Sequence, residues 1–218
     1  MTFGSFLLSA LAVLALLGVG QRVLDKMRLT DRTALVLIVL MFVGGLLPDI
    51  DPGPVRVNIG GALIPLGICV YLLVTADENA ERVRGDLGAL ITSAAVYLLG
   101  RIMPADPGRI VIGPIYISGI AGGVIGWLPG RSRRGAFICG VLGVLLADTV
   151  NAVAVWGAGI DQKLVLGVAG IFDTAVISGI LAVLLSELAG ETLERFARAQ
   201  GVQPNRMRVR MLGKERRK

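Results

Sequence analysis

Histidine is absent from this 218-residue sequence, and cysteine occurs only twice. Without histidine there can be no Ser-His-Asp triad and no His-ligated zinc or haem. Cys69 and Cys139 lie apart in apolar runs rather than in a CxxC pair, so they predict neither a disulfide framework nor a metal site. The residues therefore point to no cofactor.

Charged and aromatic side chains are also scarce. Only 17% of the residues are charged and 5% are aromatic, whereas 54% are hydrophobic and the mean hydropathy is +0.74. A water-soluble domain of this length must still cover its surface with polar groups. We therefore predict an all-α integral membrane protein whose main partner is the lipid bilayer.

Apolar stretches long enough to approach the membrane thickness predict about seven transmembrane helices in a domain over residues 1–189. They lie near 3–20, 33–47, 55–76, 87–103, 110–128, 136–156 and 164–189. The first stretch has no basic region before it, so it is expected to remain as an anchor rather than to be cleaved.

The basic residues predict the orientation of these helices. Eighteen of the 22 Lys and Arg residues lie in loops 21–32, 77–86 and 129–135 and in the tail 190–218, and four lie in the alternate loops. This bias predicts an N-terminus outside the cell and a cytoplasmic C-terminus. The tail carries the whole net charge of +6 and is expected to bind anionic lipid, which requires no nucleic-acid partner. Within the tail, the pattern of apolar and polar side chains over residues 191–199 predicts a short amphipathic helix.

Two loops on the predicted outer side contain Asp-Pro-Gly, at 48–54 and 103–109. Each is followed by a β-branched run, as expected of a duplicated hairpin with 136–189 as a diverged third copy. Asp-Pro-Gly is equally typical of ordinary turns, so both interpretations stay open. Asp49, Asp51 and Asp106 in these loops are candidate binding residues of an outer vestibule.

Two carboxylates, Asp148 and Asp173, lie deep inside apolar stretches. A carboxylate at the bilayer centre costs at least about 2.5–3.5 kcal/mol on insertion scales, so such residues usually mark a functional site. The midpoint between the two falls within the connecting loop 157–163. If both stretches are helical, the carboxylates lie at one depth, about 12–14 Å below the outer boundary. Whether they face one another depends on helix rotation.

A pair of carboxylates within a membrane is typical of two kinds of functional site, and a purely structural role is the alternative to both. One protonated and one ionised Asp form the dyad of an aspartic protease. The same pair serves as a proton relay in transporters. Alternatively, each Asp hydrogen-bonds a neighbouring polar side chain. Four candidates are available for this: Asn58, Thr149, Asn151 and Thr174.

Three segments resemble a prokaryotic membrane protein family known as domain of unknown function 1614. They are VNIGGALIPLGICVYLL (57–73), LLADTVNAVAV (145–155) and GIFDTAVISGILAVLL (170–185). The resemblance covers about residues 33–189. It implies a multi-pass protein of the prokaryotic plasma membrane and carries no activity to transfer.

The acidic motifs also resemble the GxGD-type intramembrane aspartyl proteases, in which an Asp in one apolar helix is followed by Gly-x-Gly-Asp in the next. LLAD and GIFD, which end at Asp148 and Asp173, occupy those places, with Ala147 for the usual tyrosine and Phe172 for the second glycine. This resemblance implies that the two Asp residues form a catalytic dyad that cleaves a transmembrane peptide.

The sequence thus predicts one candidate site with two functions. In the first, Asp148 and Asp173 are the catalytic pair of an intramembrane hydrolase. In the second, they bind a proton or cation in a transporter or channel component. Five polar residues are then candidate binding residues: Asn58, Asn151, Asp49, Asp51 and Asp106. A structural membrane subunit is the remaining alternative.

Overall fold

The computed structural model describes residues 18, 31–76, 79–102, 114–130, 132–167 and 169–199. The first predicted span, the second Asp-Pro-Gly loop with Asp106, and the tail beyond residue 199 lie outside the described residues. The predictions made for these segments therefore remain predictions.

The described chain is mostly helical, with two short strands. The α-helices, in chain order, are α1 (Asp31–Leu46), α2 (Ile64–Val74), α3 (Asn79–Ile102), α4 (Pro114–Gly130), α5 (Arg133–Gly157) and α6 (Thr174–Ala199). The strands are β1 (Val55–Val57) and β2 (Leu164–Leu166). Helices α3 and α5 are long and apolar enough to cross a membrane, and the other four contain shorter apolar segments.

Helices α3 to α6 form a bundle in which α5 contacts the other three and also α2. Glycine lets these helices approach closely. A Cβ atom on Gly140 of α5 would lie 2.8 Å from the Ser178 carbonyl oxygen of α6, and one on Gly126 of α4 would lie 2.8 Å from the Gly140 nitrogen. The buried Ser178 hydroxyl donates to the Gly140 carbonyl at 3.0 Å. Three helices therefore meet at Gly140 with little room for side chains.

The spans predicted near 55–76 and 164–189 do not begin as helices, which corrects the prediction. Each begins with a three-residue strand, and β1 pairs with β2 in parallel, with Val55 opposite Leu164 and Val57 opposite Leu166. Because the strands supply each other's backbone hydrogen bonds, two non-helical segments can be buried side by side. The hydropathy of these segments is the same in a strand as in a helix, so composition could not reveal the difference.

Beyond the strands, each segment turns tightly before its helix starts. Asn58 caps a single π-helical turn (Ile59–Leu63) that leads into α2, and a 3-10 turn (Gly170–Phe172) precedes α6. Gly167 and Gly170 have φ values of +77° and +56°, which side-chain-bearing residues rarely adopt. These glycines explain why α6 starts at Thr174 rather than at residue 164.

The two turns are joined through glycine backbone. A Cβ atom on Gly61 would overlap the backbone of Gly167, and one on Gly60 would overlap the backbone of α1 at Met41 and Gly45. We call this contact, made by Gly45, Gly60, Gly61 and Gly167, the glycine junction. It fixes the position of the turn before α6 relative to α1 and α2.

At the opposite end of the bundle, α6 continues without a break to Ala199. The predicted separate helix at 191–199 is therefore the last part of α6. Nearby, Arg133 forms an ion pair with Glu187, and the Ser132 hydroxyl donates to the Glu81 carboxylate at 2.7 Å. These polar contacts lie at the end of the bundle that the charge bias predicts to be cytoplasmic.

Candidate functional site

Asp173 is buried and holds the first turn of α6. It is only 7% exposed, and its Oδ1 accepts a hydrogen bond from the Ala175 N–H at 3.0 Å. Asp173 thus satisfies a backbone donor in the first turn of α6, as a helix N-cap does. Part of its hydrogen-bonding capacity is used in holding this turn.

Asp148 has a different environment. It lies on α5, nine residues before the end of the helix at Gly157, and is partly buried. No protein group among the described residues donates a hydrogen bond to its carboxylate. Asn151 and Thr149, the nearest predicted partners on α5, do not bind it: the Thr149 hydroxyl donates to the Leu145 carbonyl at 2.8 Å. Asp148 is therefore the carboxylate of the pair that is open to a ligand.

Both carboxylates line one cavity of about 260 Å³ between α5, β2 and the start of α6. Its polar lining residues are Asp148, Asn151, Gln162, Lys163, Asp173 and Thr174. Asp148 and Asp173 were predicted to lie at one depth on the assumption that residues 164–172 are helical, and this assumption is wrong. The structure nevertheless brings both residues to the same cavity.

A second cavity of about 300 Å³ lies on the other side of Asp148, against α3 and α4. Its polar lining residues are Tyr97, Arg101, Ser118, Asp148, Asn151 and Thr174. Asp148, Asn151 and Thr174 line both cavities, so they form the wall between them. We call the two cavities together the Asp148 cleft.

Three other predicted binding residues lie outside this cleft. The Asn58 amide donates to Asp49 at 2.9 Å and its oxygen accepts from the Gly61 N–H at 2.9 Å, so both side chains stabilise the π turn. Asp51 binds Lys163, with Nζ 2.8 Å from Oδ2, and also Arg56 at 3.3 Å. Of the predicted binding residues in the described chain, the cleft thus contains only Asn151.

Five polar residues of the cleft were not predicted from the sequence: Tyr97, Arg101, Ser118, Gln162 and Lys163. A signal for two of them was present, since Arg101 and Lys163 are among the four basic residues on the predicted outer side, where the charge bias disfavours them. In the structure, Lys163 reaches Asp51, whereas Arg101 donates to the Tyr97 hydroxyl at 2.7 Å and lies 5.2 Å from the ring centroid. Each of these two basic residues on the disfavoured side thus has a specific side-chain partner in the structure.

Protonation of Asp51 should weaken its bridge to Lys163. The hydrogen bond from Lys163 holds the pKa of Asp51 below its ordinary value of 3.8. Desolvation raises the pKa of this carboxyl, and the hydrogen bond from Arg56 lowers it further. A lowered pKa means that the bridge stabilises the fold above that ordinary value and that this stabilisation is lost as the pH falls through the folded-state pKa. We expect Asp51→Asn to unfold at a lower temperature than wild type at pH 7, and the difference to vanish in acid. Thermal unfolding at several pH values measures this. A difference that persists at the acid end would contradict it, and Asp161→Asn, in the same outer region, is the control.

The described part of the chain is thus mostly helical, with two candidate membrane-spanning helices and a cleft lined by carboxylates at the interrupted start of a helix. The chain belongs to the family described as protein of unknown function (DUF1614), whose match covers residues 23–185 and includes both Asp148 and Asp173. The predicted membership of this family is confirmed, and the match lends no support to the resemblance to GxGD-type proteases. No curated protein and no solved structure matches the chain.

Proposed function

We propose that this chain is a multi-pass protein of the prokaryotic plasma membrane, with its N-terminus outside and its basic tail on anionic lipid in the cytoplasm. The long apolar helices α3 and α5 and the strong charge bias support this proposal. The surface of α3 supports it as well, since several of its large apolar side chains are more than half exposed. These are Val83, Leu87, Leu90, Ile91 and Leu98. Such a surface is stable in lipid and unfavourable in water.

Within this membrane protein, we propose that the Asp148 cleft binds a proton or a cationic group on a transport path. The observation that carries this proposal is the position of Asp148, an unpartnered carboxylate between two polar cavities and beside the interrupted start of α6. Ionisable residues inside membranes mark such pathways, and interrupted helices in paired segments are typical of transporter binding sites. The side-by-side turns before α2 and α6 supply that pair.

The two carboxylates have different roles in this proposal. Asp148 exchanges the proton or cation, because no protein donor among the described residues occupies its oxygens. Asp173 caps the start of α6 through its hydrogen bond from the Ala175 N–H and adds a second carboxylate to the cleft. Lys163, at the edge of the cleft, is paired with Asp51 rather than with Asp148 or Asp173.

Proteoliposomes test the transport function. Wild-type protein should move protons inward together with small solutes from a panel of amines, acids and zwitterions, as followed by an internal pH-sensitive dye. Asp148→Asn should reduce this flux by at least about tenfold, because asparagine cannot take up a proton. Asp161→Asn, an exposed carboxamide substitution in the loop after α5, should leave it unchanged. Wild-type flux no greater than that of empty liposomes, or an undiminished flux in Asp148→Asn, would refute the proposal.

An intramembrane aspartyl hydrolase is the second candidate function. One observation favours it, namely that both carboxylates line the same cavity, as a catalytic dyad requires. Asp148→Asn and Asp173→Asn distinguish it from transport. Cleavage-site proteomics of host membranes should then show peptide ends that are present with wild type and absent with Asp148→Asn and with Asp173→Asn. Ends that are unchanged in both folded variants would exclude the hydrolase.

A further inference from the structure

Two opposite charges in the Asp148 cleft lack a charged partner in the described part of the chain. Arg101 makes no ion pair with a described residue. Its guanidinium donates a hydrogen bond to the Tyr97 hydroxyl and lies over the Tyr97 ring. Asp148 accepts no hydrogen bond from a described protein group. Both line the same cavity of about 300 Å³, and no salt bridge among the described residues joins them. The cavity is therefore positive at one place and negative at another.

The arrangement of the helices sets the direction of this dipole. Arg101 lies one residue before the end of α3, whereas Asp148 lies well inside α5. Tyr97 holds the guanidinium through a hydrogen bond and a cation–π contact, so the orientation of this side chain is already restricted. Its remaining N–H donors suit a carboxylate, which a guanidinium binds through two parallel hydrogen bonds. Asn151 and Thr174 add polar groups beside Asp148.

We propose that the cleft binds a small zwitterion, with its anionic group on Arg101 and its ammonium group on Asp148. The proposal rests on the proposed function of the cleft as a transport site and names the class of its substrate. A ligand with both charges provides a charged partner for both side chains at once, whereas a ligand with one charge leaves the other side chain without one. The volume of the cavity suits a molecule of amino-acid size.

Binding to the purified full chain in nanodiscs tests this inference. The probes are glycine, β-alanine and 4-aminobutyrate, which separate the two charges by increasing distances, together with propylamine and butyrate as single-charge controls. We expect at least one of the zwitterions to bind at least about tenfold more tightly than either single-charge probe, by calorimetry. If none of the three zwitterions binds better than propylamine and butyrate, the inference is wrong.

Variants assign the two ends of the ligand. Arg101→Gln should weaken binding of the zwitterion at least about tenfold and leave propylamine unaffected, while Arg101→Lys should restore part of the loss. Asp148→Asn should weaken the zwitterion and leave butyrate unaffected. Arg56→Gln, another basic residue of the predicted outer side that lies outside both cavities, is the matched control and should bind as wild type. Equal binding by wild type and Arg101→Gln would overturn the inference.

The outcomes separate this inference from the proposed function. If Asp148→Asn abolishes the proton flux but no zwitterion of the panel binds the wild type, the transport function stands and the zwitterion site is wrong. If a zwitterion binds through Arg101 and Asp148 but the flux persists in Asp148→Asn, the site is correct and the proposed proton-coupled transport is wrong.

Discussion

Replacing Gly61 with alanine should unfold or greatly destabilise the region around the Asp148 cleft. A Cβ atom at this position would overlap the backbone of Gly167, including its carbonyl oxygen. Overpacked sites usually cost about 1–3 kcal/mol, and the upper end or more is expected when backbone rather than a flexible side chain must give way. Gly167 directly follows β2, so it can move only if the β1–β2 ladder is disturbed.

Gly67 provides the matched control for this prediction. It lies in α2, six residues after Gly61, and a Cβ atom there would meet nothing within 4 Å. Gly67→Ala should therefore be neutral or stabilise the helix by up to about 1 kcal/mol, since alanine is the better helix former. Thermal unfolding in detergent, followed by circular dichroism, compares the two variants. Equal unfolding temperatures would show that the glycine junction is not as close as described.

The helices of the bundle could be predicted from the sequence, whereas the interrupted segments could not. Hydropathy alone indicated α3 and α5, because each is a long apolar run between charged or polar ends. The stretches that begin at residues 55 and 164 are just as apolar. Their conformation depends on strand pairing between residues more than 100 positions apart and on the positive φ of Gly167 and Gly170. A property of long-range pairing is not encoded in local composition.

The candidate site, too, could be predicted only in part from the sequence. Asp148 and Asp173 stood out because a carboxylate is costly in an apolar stretch. The two carboxylates line one cavity, and only a short connection separates their segments in the sequence. Arg101 was harder to recognise, because it lies near a helix end, where a basic residue is ordinary. Only its placement across the cavity from Asp148 gives it a role.

The interruption before α6 also explains how a polar cleft can exist at this position. Non-helical backbone within a membrane is stable only where it is buried in protein or lines a wet cavity. Here the strand β2 is paired with β1, and the 3-10 turn is closed by Asp173. The start of α6 is thereby held beside Asp148 without a continuous helix between the loop and the cleft. The same residue that makes the turn possible therefore brings charge to the site.

This double role of Asp173 predicts different results for two substitutions. Asp173→Ala removes the acceptor of the buried Ala175 N–H and the cap of α6, which should cost about 2–3 kcal/mol of unfolding free energy. Asp173→Asn keeps a side-chain oxygen for the Ala175 N–H, so its stability should stay within about 1 kcal/mol of wild type while the negative charge is lost. Under the proposed transport function, flux through the asparagine variant then reports the contribution of the Asp173 charge.

Chemical denaturation of both variants, beside Asp161→Ala as an exposed control, measures the difference. The control should stay within about 0.5 kcal/mol of wild type, as surface substitutions usually do. If the alanine and asparagine variants are equally stable, the carboxylate does not hold the turn, and the glycines at 167 and 170 must fix the start of α6 unaided. If both are as unstable as an uncapped helix, it is the charge of Asp173, rather than its shape, that the backbone donor requires.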